Sequence, residues 1–250
     1  MSTTAQNRRS AALLEAVEAD AAPYGVPPRT VHRFLVLPWI AAAVVATTAL
    51  HRPLFRFLMR EDSVIEWTQV LVMVAAMVLA LRVALHLHRQ GKALFAVLWF
   101  VLAGGCFIIA GEEVAWGQRI LDLDAPEALN RINHQQDITA HNIRPVQDTI
   151  NLIFMCAGLY GTAVAAYLRL RPGHPPSENV QLLTPPLFLG SLFLIVAGYK
   201  GARFLFFHEA RYLVVKYGEF VELCLAIAFF SFGWYTLRRL REHARGESLA

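Results

Sequence analysis

Six long apolar runs constrain the fold of this chain more than any other feature of its sequence. A helix needs about 20 mostly apolar residues to cross a bilayer, and each run is close to that length. Short, densely charged connections separate the runs, which is typical of multi-pass membrane proteins. The sequence therefore predicts an all-α, polytopic membrane helical bundle with about six transmembrane helices. We expect them at residues 34–50, 64–87, 94–110, 146–168, 183–207 and 212–237.

The composition excludes an ordinary soluble domain. Hydrophobic residues make up 56% of the 250 residues and charged residues 17%, whereas charged residues are about a quarter of a typical soluble domain. The basic residues do not form a nucleic-acid-binding patch. Three cysteines lie inside apolar runs, too far apart for a CxxC metal or redox motif, so we expect buried apolar side chains at Cys106, Cys156 and Cys224.

The chain is predicted to form one domain with two tails. Residues 1–33 form an N-terminal cytoplasmic tail, 34–238 the six-helix transmembrane domain, and 239–250 a basic C-terminal tail. The first tail lacks the apolar core of a signal peptide and carries Glu15, Glu18 and Asp20, so we expect a flexible or surface-lying leader. A long polar connection, residues 111–144, joins the third and fourth spans and is expected to be partly helical.

The charges of the connections indicate an orientation. Lysine and arginine favour the cytoplasmic side of a membrane. The side that carries both tails has twelve of them, including the run LRRLREHAR, and the other side has nine. We therefore expect a multi-pass protein of the inner (plasma) membrane with both termini in the cytoplasm.

Acidic and histidine residues gather on the opposite, extracytoplasmic face. Ionisable groups at the edge of the hydrocarbon layer are costly to place there, so they indicate a functional site. That face receives Glu61, Asp62, Glu66, Glu112, Glu113, His134, Asp137, His141, His208, Glu209, Glu219 and Glu222.

The pair Glu112 and Glu113 ends the third apolar run. If the helix continues, Glu112, Trp116 and Arg119 share one face at spacings of four and three. One interpretation is an interfacial cap in which Glu112 pairs with Arg119 or Arg203. The other is a ligand, acid or base role for at least one of the two carboxylates.

The connection carries His134, Asp137 and His141 at spacings that form one stripe if 126–143 is helical. Imidazole and carboxylate groups are ligands for Zn, Mn or Fe, and they equally suit an acid/base relay. For a divalent metal, the predicted ligands are His134, His141, Glu113 and His208. The alternative is an amphipathic helix that lies on the membrane with its polar side in water.

The last span begins with Glu219 and Glu222, one helical turn apart. Glu222 should lie within the hydrocarbon and be partnered, with Lys216, Arg203 or a bound cation available. Glu66 and Asp148 are expected to bring further carboxylates to the same depth. An anionic headgroup would be held by Arg203 or Arg119; the other predicted substrate-binding residues are Trp116, Gln118 and Asn142.

The motif GEE-V-A-WGQR, followed by N-x-Q-x-D and then HN, resembles a pattern in uncharacterised multi-pass bacterial membrane proteins. The resemblance covers residues 61–142 best, with EDSVIEW as the element of the second helix. It implies a membrane fold and no particular activity. The chain lacks the Ser-x-x-x-His and His-x-x-x-His elements of membrane hydrolases related to alkaline ceramidase.

Three hypotheses follow from these residues. The first is an integral membrane enzyme that acts on a lipid or lipid-linked substrate at the extracytoplasmic face, with or without a divalent metal. Its predicted catalytic residues are Glu112, Glu113, Asp137, His141 and Glu222. The second is a proton or cation transporter, or a subunit of one. The third is a scaffold or assembly factor with a protein partner at that face. Membrane lipids are expected partners in all three, and nucleic acid is not.

Overall fold

The computed structural model describes residues 3–60, 62–118, 138–139, 144–170, 176–207 and 212–247. Within these ranges the chain is all-α and contains no strand, which confirms the predicted fold class. The helices are α1 (Thr3–Ala21), α2 (Pro28–Thr48), α3 (Arg52–Met59), α4 (Val64–Arg89), α5 (Ala93–Glu113), α6 (Arg144–Leu159), α7 (Ala165–Arg169), α8 (Glu178–Leu183), α9 (Gly190–Phe206) and α10 (Tyr212–Glu247).

Five stretches of the described chain are long and apolar enough to cross a membrane. They are Pro28–Thr48, Arg52–Arg89, Ala93–Glu113, Val146–Arg169 and Glu178–Phe206, and they match the first five predicted runs. The sixth predicted run lies within α10, which is not one of the five. With 36 residues, α10 is about 54 Å long at a rise of 1.5 Å per residue, so its length alone permits a crossing.

The bundle consists of two packed groups of helices joined by α9 and α10. One group packs α4 against α5 and α10, and the other packs α6 against α9. Large apolar side chains fill the space between them, including Trp99, Phe193, Leu225 and Phe232. Cys106 and Cys224 are buried as predicted, but Cys156 is exposed on the bundle surface, so the prediction was wrong there.

Two glycines let α6 and its continuation pack closely against α9, one against its backbone and one against a side-chain ring. A Cβ on Gly158 would lie 2.5 Å from the Ala197 nitrogen, and a Cβ on Gly161 would lie 2.3 Å from the Phe193 ring. Small residues allow such close packing in membranes, where contact between helices replaces the hydrophobic effect as the driving force. Gly161 belongs to a π-helical turn, Tyr160–Val164, between α6 and α7.

The N-terminal segment is held more firmly than its sequence predicts. Residues 10–13 of α1 are exposed, but Ala21 and Tyr24 are fully buried. Asp20 accepts a bond from Arg169 Nη1 at 2.6 Å and another from the Leu187 backbone N–H at 2.8 Å. The expectation of a flexible or surface-lying leader is therefore wrong for the end of α1, because a partner 149 residues away fixes it.

We call Asp20, Tyr24, Arg169 and Thr184 the Arg169 cluster. Arg169 Nε donates to Thr184 Oγ1 at 3.0 Å, and Nη2 donates to the Tyr24 hydroxyl at 2.9 Å and to the Thr184 carbonyl at 2.5 Å. The Arg239 guanidinium lies 5.5 Å from the centre of the Tyr24 ring. The ends of α1 and α7 and the C-terminal part of α10 therefore meet at one end of the bundle.

The fifth predicted span is interrupted at its start. The sequence indicates one helix over 183–207, but α8 ends at Leu183 and α9 begins at Gly190 after a 3₁₀ turn, Leu187–Leu189. Pro185 and Pro186 explain the break, because proline has no N–H to donate and pushes the preceding residue toward extended backbone. Thr184 accordingly has φ −106° and ψ 138°.

Candidate functional site: an ionisable cavity

A cavity of about 380 Å³ lies at the end of the bundle opposite the Arg169 cluster. The start of α4, the end of α5, the start of α6, the end of α9 and the start of α10 surround it. From Asn151 at the cavity to Arg169, a helix with a 1.5 Å rise spans about 27 Å. The ionisable residues of the lining are Glu66, Glu112, Glu113, Lys200, Arg203, Lys216, Glu219 and Glu222.

The described part of the lining carries more negative than positive side chains. Among these residues, five carboxylates face three cations. Buried ion networks are poor stabilising devices, because desolvation offsets much of the attraction.

Glu222 forms an ion pair with Lys200. The Lys200 Nζ lies 2.6 Å from Glu222 Oε1, and the two side chains are only 5% and 19% exposed. Lys200 also lies 5.1 Å from the centre of the Phe154 ring. The sequence predicts a buried, partnered Glu222, but it proposes Lys216 or Arg203 as partner. Lys200 takes that place because it reaches α10 from the end of α9, one turn before Arg203.

Glu113 lies among other carboxylates. Its electrostatic neighbours across the cavity are Glu222, Glu219 and Glu66. We call Glu66, Glu113, Glu219 and Glu222 the carboxylate cluster.

Two members of the carboxylate cluster also form local structural contacts. Glu66 closes the N-terminus of α4: its backbone N–H donates to Ser63 Oγ at 3.3 Å, and its Oε2 accepts from the Asp62 N–H at 2.9 Å. This is a variant of the capping box. Glu219 pairs with Lys216, one turn away, at 3.3 Å.

Glu112 lies at the mouth of the cavity and bonds with Trp116. The predicted continuous helix is wrong here, because α5 ends at Glu113 and Ala115, Trp116 and Gly117 all have positive φ. This turn folds the indole back, and Trp116 Nε1 donates to Glu112 Oε1 at 2.7 Å. The fold-back requires glycine at 111, since a Cβ there would lie 2.7 Å from the indole ring.

Gln118 contacts Ile138. Its Oε1 accepts from the Ile138 backbone N–H at 2.7 Å, and the neighbouring Thr139 is 1% exposed. This bond holds Ile138 beside the end of α5, and the substrate-binding role of Gln118 stays a prediction.

Arg203 has unused hydrogen-bonding capacity. It is 8% exposed, lines the cavity and contacts the Tyr199 hydroxyl. Its Nε–H has no hydrogen-bond partner within the described ranges. The Tyr199 hydroxyl donates to the Val214 carbonyl, which ties α9 to α10 at this point. Arg203 is thus a desolvated cation with a free donor at the cavity wall.

The start of α6 contributes amides rather than the expected carboxylate. Gln147 and Asn151, four residues apart, line the cavity and Asp148 does not. Residues four apart share a helix face, and the residue next to them points about 100° away. Ile150 and Phe154 are the apolar residues of the same helix face. Their spacing in the sequence indicates that Gln147 and Asn151, and not Asp148, face the interior of the bundle.

The remaining predicted site residues lie outside the described residues. They are Arg119, His134, Asp137, His141, Asn142 and His208, so the predicted metal ligands are represented only by Glu113. Among the side chains that the structure does describe, no group of three or more His, Cys, Asp or Glu is arranged to hold a metal ion.

No family model, no curated protein and no solved structure matches this chain. Its class is therefore defined by its own fold and cavity. It is an α-helical bundle able to span a membrane, with a cavity rich in carboxylates at one end of its helices.

Proposed function

We propose that this protein is an integral membrane enzyme that acts on a lipid or lipid-linked substrate and uses the carboxylate cluster for acid–base chemistry. One observation carries the proposal: the same cavity joins an apolar wall at the bundle surface to buried carboxylates and cations. Binding pockets for small molecules combine apolar walls with a few convergent polar groups, and fall in a range of about 300–1,000 Å³.

The apolar wall supports a substrate that enters from the bilayer. Ile108 on α5 and Ile153 on α6 line the cavity while remaining 55% and 56% exposed on the surface of the bundle. In a helical membrane protein this surface faces lipid chains. Helices α5 and α6 border the cavity without packing closely along one another in the described chain. Acyl chains would lie between them, with the headgroup at the carboxylates.

Glu113 is the proposed acid–base residue. Its electrostatic neighbours are carboxylates, and a carboxyl group in this position can give a proton to a substrate or take one from it. A positioned general acid or base contributes about 10²–10⁴ to a rate. Lys200 and Glu222 hold each other in place, and Arg203 offers a donor for an anionic group.

Residues outside the described ranges could add a metal to this site. His134, His141 and His208 would then hold a divalent ion together with Glu113, and the ion would lower the pKa of a bound water. Elemental mass spectrometry of the purified protein tests this. A stoichiometric metal that is lost in His141→Ala and Glu113→Gln supports it; no metal in a folded preparation kept free of chelator contradicts the metal-dependent form of the proposal.

For location, we propose the inner (plasma) membrane, with the cavity at the extracytoplasmic face and both termini in the cytoplasm. The bias of basic residues supports this orientation. The contact between Tyr24 and Arg239 supports the placement of both tails at one end of the bundle.

The central test compares lipid turnover by three proteins. Purified wild type, Glu113→Gln and Glu178→Gln are incubated with vesicles of mixed membrane lipids, and products are followed by mass spectrometry. Glu178 is the matched control, because it pairs with Lys92 at an exposed position far from the cavity. We expect products from wild type and Glu178→Gln, and a rate lower by about a hundredfold or more in Glu113→Gln. No product from any of them would contradict an enzyme.

The carboxylate cluster also favours a second candidate, a proton or cation carrier, because chains of acids within membrane spans serve as proton relays. A relay would have to continue toward the Arg169 cluster. Between the two ends, however, the described core has no buried Asp, Glu, His, Lys or Arg; the rings of Trp99 and Phe232 pack there with centres 4.7 Å apart. Proton flux into vesicles containing the purified protein, lost in Glu113→Gln, would support the carrier over the enzyme.

A further inference from the structure

We infer that the cavity selects the headgroup of a zwitterionic phospholipid with a primary ammonium, in which Arg203 binds the phosphate and Glu113 with Glu222 binds the ammonium. The inference rests on the proposed function, that the cavity receives a lipid. It goes further by naming the headgroup class.

The phosphate half of the inference comes from Arg203. An arginine that is 8% exposed and has an unused Nε–H is costly to bury, because a desolvated donor without an acceptor loses about 1–3 kcal/mol. The guanidinium fork matches the geometry of a phosphate, which can accept two parallel N–H···O bonds from it. Arg203 lines the cavity, so an acceptor there would satisfy the donor.

The ammonium half comes from the surplus of carboxylates. A purely anionic headgroup would add negative charge to a lining whose described residues include five carboxylates and three cations. Lys200 and Lys216 are each paired with a glutamate, so Arg203 is the cation most open to a phosphate. A headgroup that carries its own cation relieves the repulsion around Glu113.

The type of cation follows from the lining as well. A primary ammonium donates up to three hydrogen bonds, which carboxylates accept, whereas a quaternary ammonium is recognised by the faces of aromatic rings. The two aromatic residues of the lining are already engaged: Phe154 faces Lys200, and the Tyr199 ring packs 5.7 Å from that of Tyr217. The carboxylate cluster therefore favours a primary ammonium.

Calorimetric titration of the full-length protein in detergent tests the inference. The probes are dihexanoyl phosphatidylethanolamine, phosphatidylcholine and phosphatidylglycerol, which share acyl chains and differ in headgroup. We expect phosphatidylethanolamine to bind at least about tenfold more tightly than either of the others. Tighter or equal binding of phosphatidylglycerol would overturn the inference.

Two variants assign the halves of the headgroup. Glu113→Gln should lower the affinity for phosphatidylethanolamine to the level of phosphatidylcholine and leave the latter unchanged. Arg203→Gln should weaken both, and Glu178→Gln neither. If Arg203→Gln does not fold, Arg203→Lys keeps the charge without the fork and should weaken both less. An equal loss for both lipids in Glu113→Gln would overturn the ammonium assignment.

The outcomes separate this inference from the proposed function. Equal affinity for all three lipids, competing with one another, would refute headgroup selection and leave a lipid site intact. No binding of any probe by folded protein would refute both, since a lipid enzyme has to bind its substrate.

Discussion

The Arg169 cluster and the carboxylate cluster lie at opposite ends of the segment Val146–Arg169, and both bury charged side chains. In the Arg169 cluster, Nε, Nη1 and Nη2 all donate hydrogen bonds, and both oxygens of Asp20 accept them. One cation meets one anion, and nearby donors and acceptors complete the set. Such a buried pair is a structural clasp, which holds α1 against the bundle.

The carboxylate cluster differs in both charge balance and completeness. Among the described residues around the cavity, acids outnumber cations. Two buried polar atoms nearby, Gln69 Oε1 and Arg203 Nε, have no hydrogen-bond partner in the same part of the chain. An incomplete buried network is unfavourable for folding alone. Both clusters are buried and charged, so these two properties do not distinguish a functional site from a structural one. Unbalanced charge and polar atoms without a hydrogen-bond partner, both beside a cavity, do distinguish it.

Breaking the Arg169 clasp should have the largest effect on stability. Arg169→Met leaves Asp20 buried without its cation, and loss of one partner of a buried pair costs about 3–5 kcal/mol. Thermal unfolding in detergent, followed by circular dichroism, measures the loss. The double variant Asp20→Asn with Arg169→Met should recover much of it, and lipid binding per folded molecule should be unchanged. A stable single variant would show that the clasp does not hold α1.

Breaking the helix contact between the two regions should have the next largest effect. Gly158→Ala places a Cβ 2.5 Å from the Ala197 nitrogen, while Gly104→Ala meets nothing within 4 Å and is the matched control. Overpacking a tight contact costs about 1–3 kcal/mol. We expect a lower unfolding temperature for Gly158→Ala only. Equal unfolding temperatures for both variants would contradict the close approach of α6 and α9.

The sequence predicts the helices of this protein better than their long-range partners. The second and third spans were expected at 64–87 and 94–110, and α4 and α5 cover Val64–Arg89 and Ala93–Glu113. These elements follow from local properties: the length of an apolar run, and Ser63 as a helix cap. Membrane thickness fixes the length, so little tertiary information is needed.

The parts of the structure that the sequence does not predict depend on distant contacts or on single backbone angles. Asp20 is an ordinary polar residue of a tail until Arg169 is placed beside it. Lys200 and Arg203 have similar sequence surroundings, yet only Lys200 pairs with Glu222. The left-handed turn at Trp116 has no strong local signal before Gly117. The predicted roles of His134, Asp137 and His141 stay predictions, since they lie outside the described residues.

Lys200→Met tests whether the two clusters have different roles, because it breaks a buried ion pair at the cavity, whereas Arg169→Met breaks one at the other end of the bundle. We expect Lys200→Met to destabilise the protein less than Arg169→Met, since the Glu222 side chain is 19% exposed whereas that of Asp20 is 6% exposed. Lipid turnover should nevertheless fall by about a hundredfold, because Glu222 no longer has a fixed position beside Glu113. Unfolding temperature and turnover are measured on the same samples. A loss of stability equal to that of Arg169→Met, with normal turnover of the folded fraction, would make Lys200–Glu222 a second clasp.

The smallest expected effect on stability is at the mouth of the cavity. Gly111→Ala puts a Cβ 2.7 Å from the Trp116 indole, so the ring has to move and the bond from Trp116 Nε1 to Glu112 is strained or lost. Trp116 is 43% exposed, and Phe107 is its aromatic neighbour at 5.7 Å, so the ring can shift outward at a cost of about 1 kcal/mol. We expect lipid affinity to change by severalfold while the unfolding temperature barely moves, with Gly104→Ala again unchanged in both. A variant that loses stability and keeps its lipid affinity would show that Gly111 and Trp116 have a structural role, as the Arg169 cluster does, and no role in lipid binding.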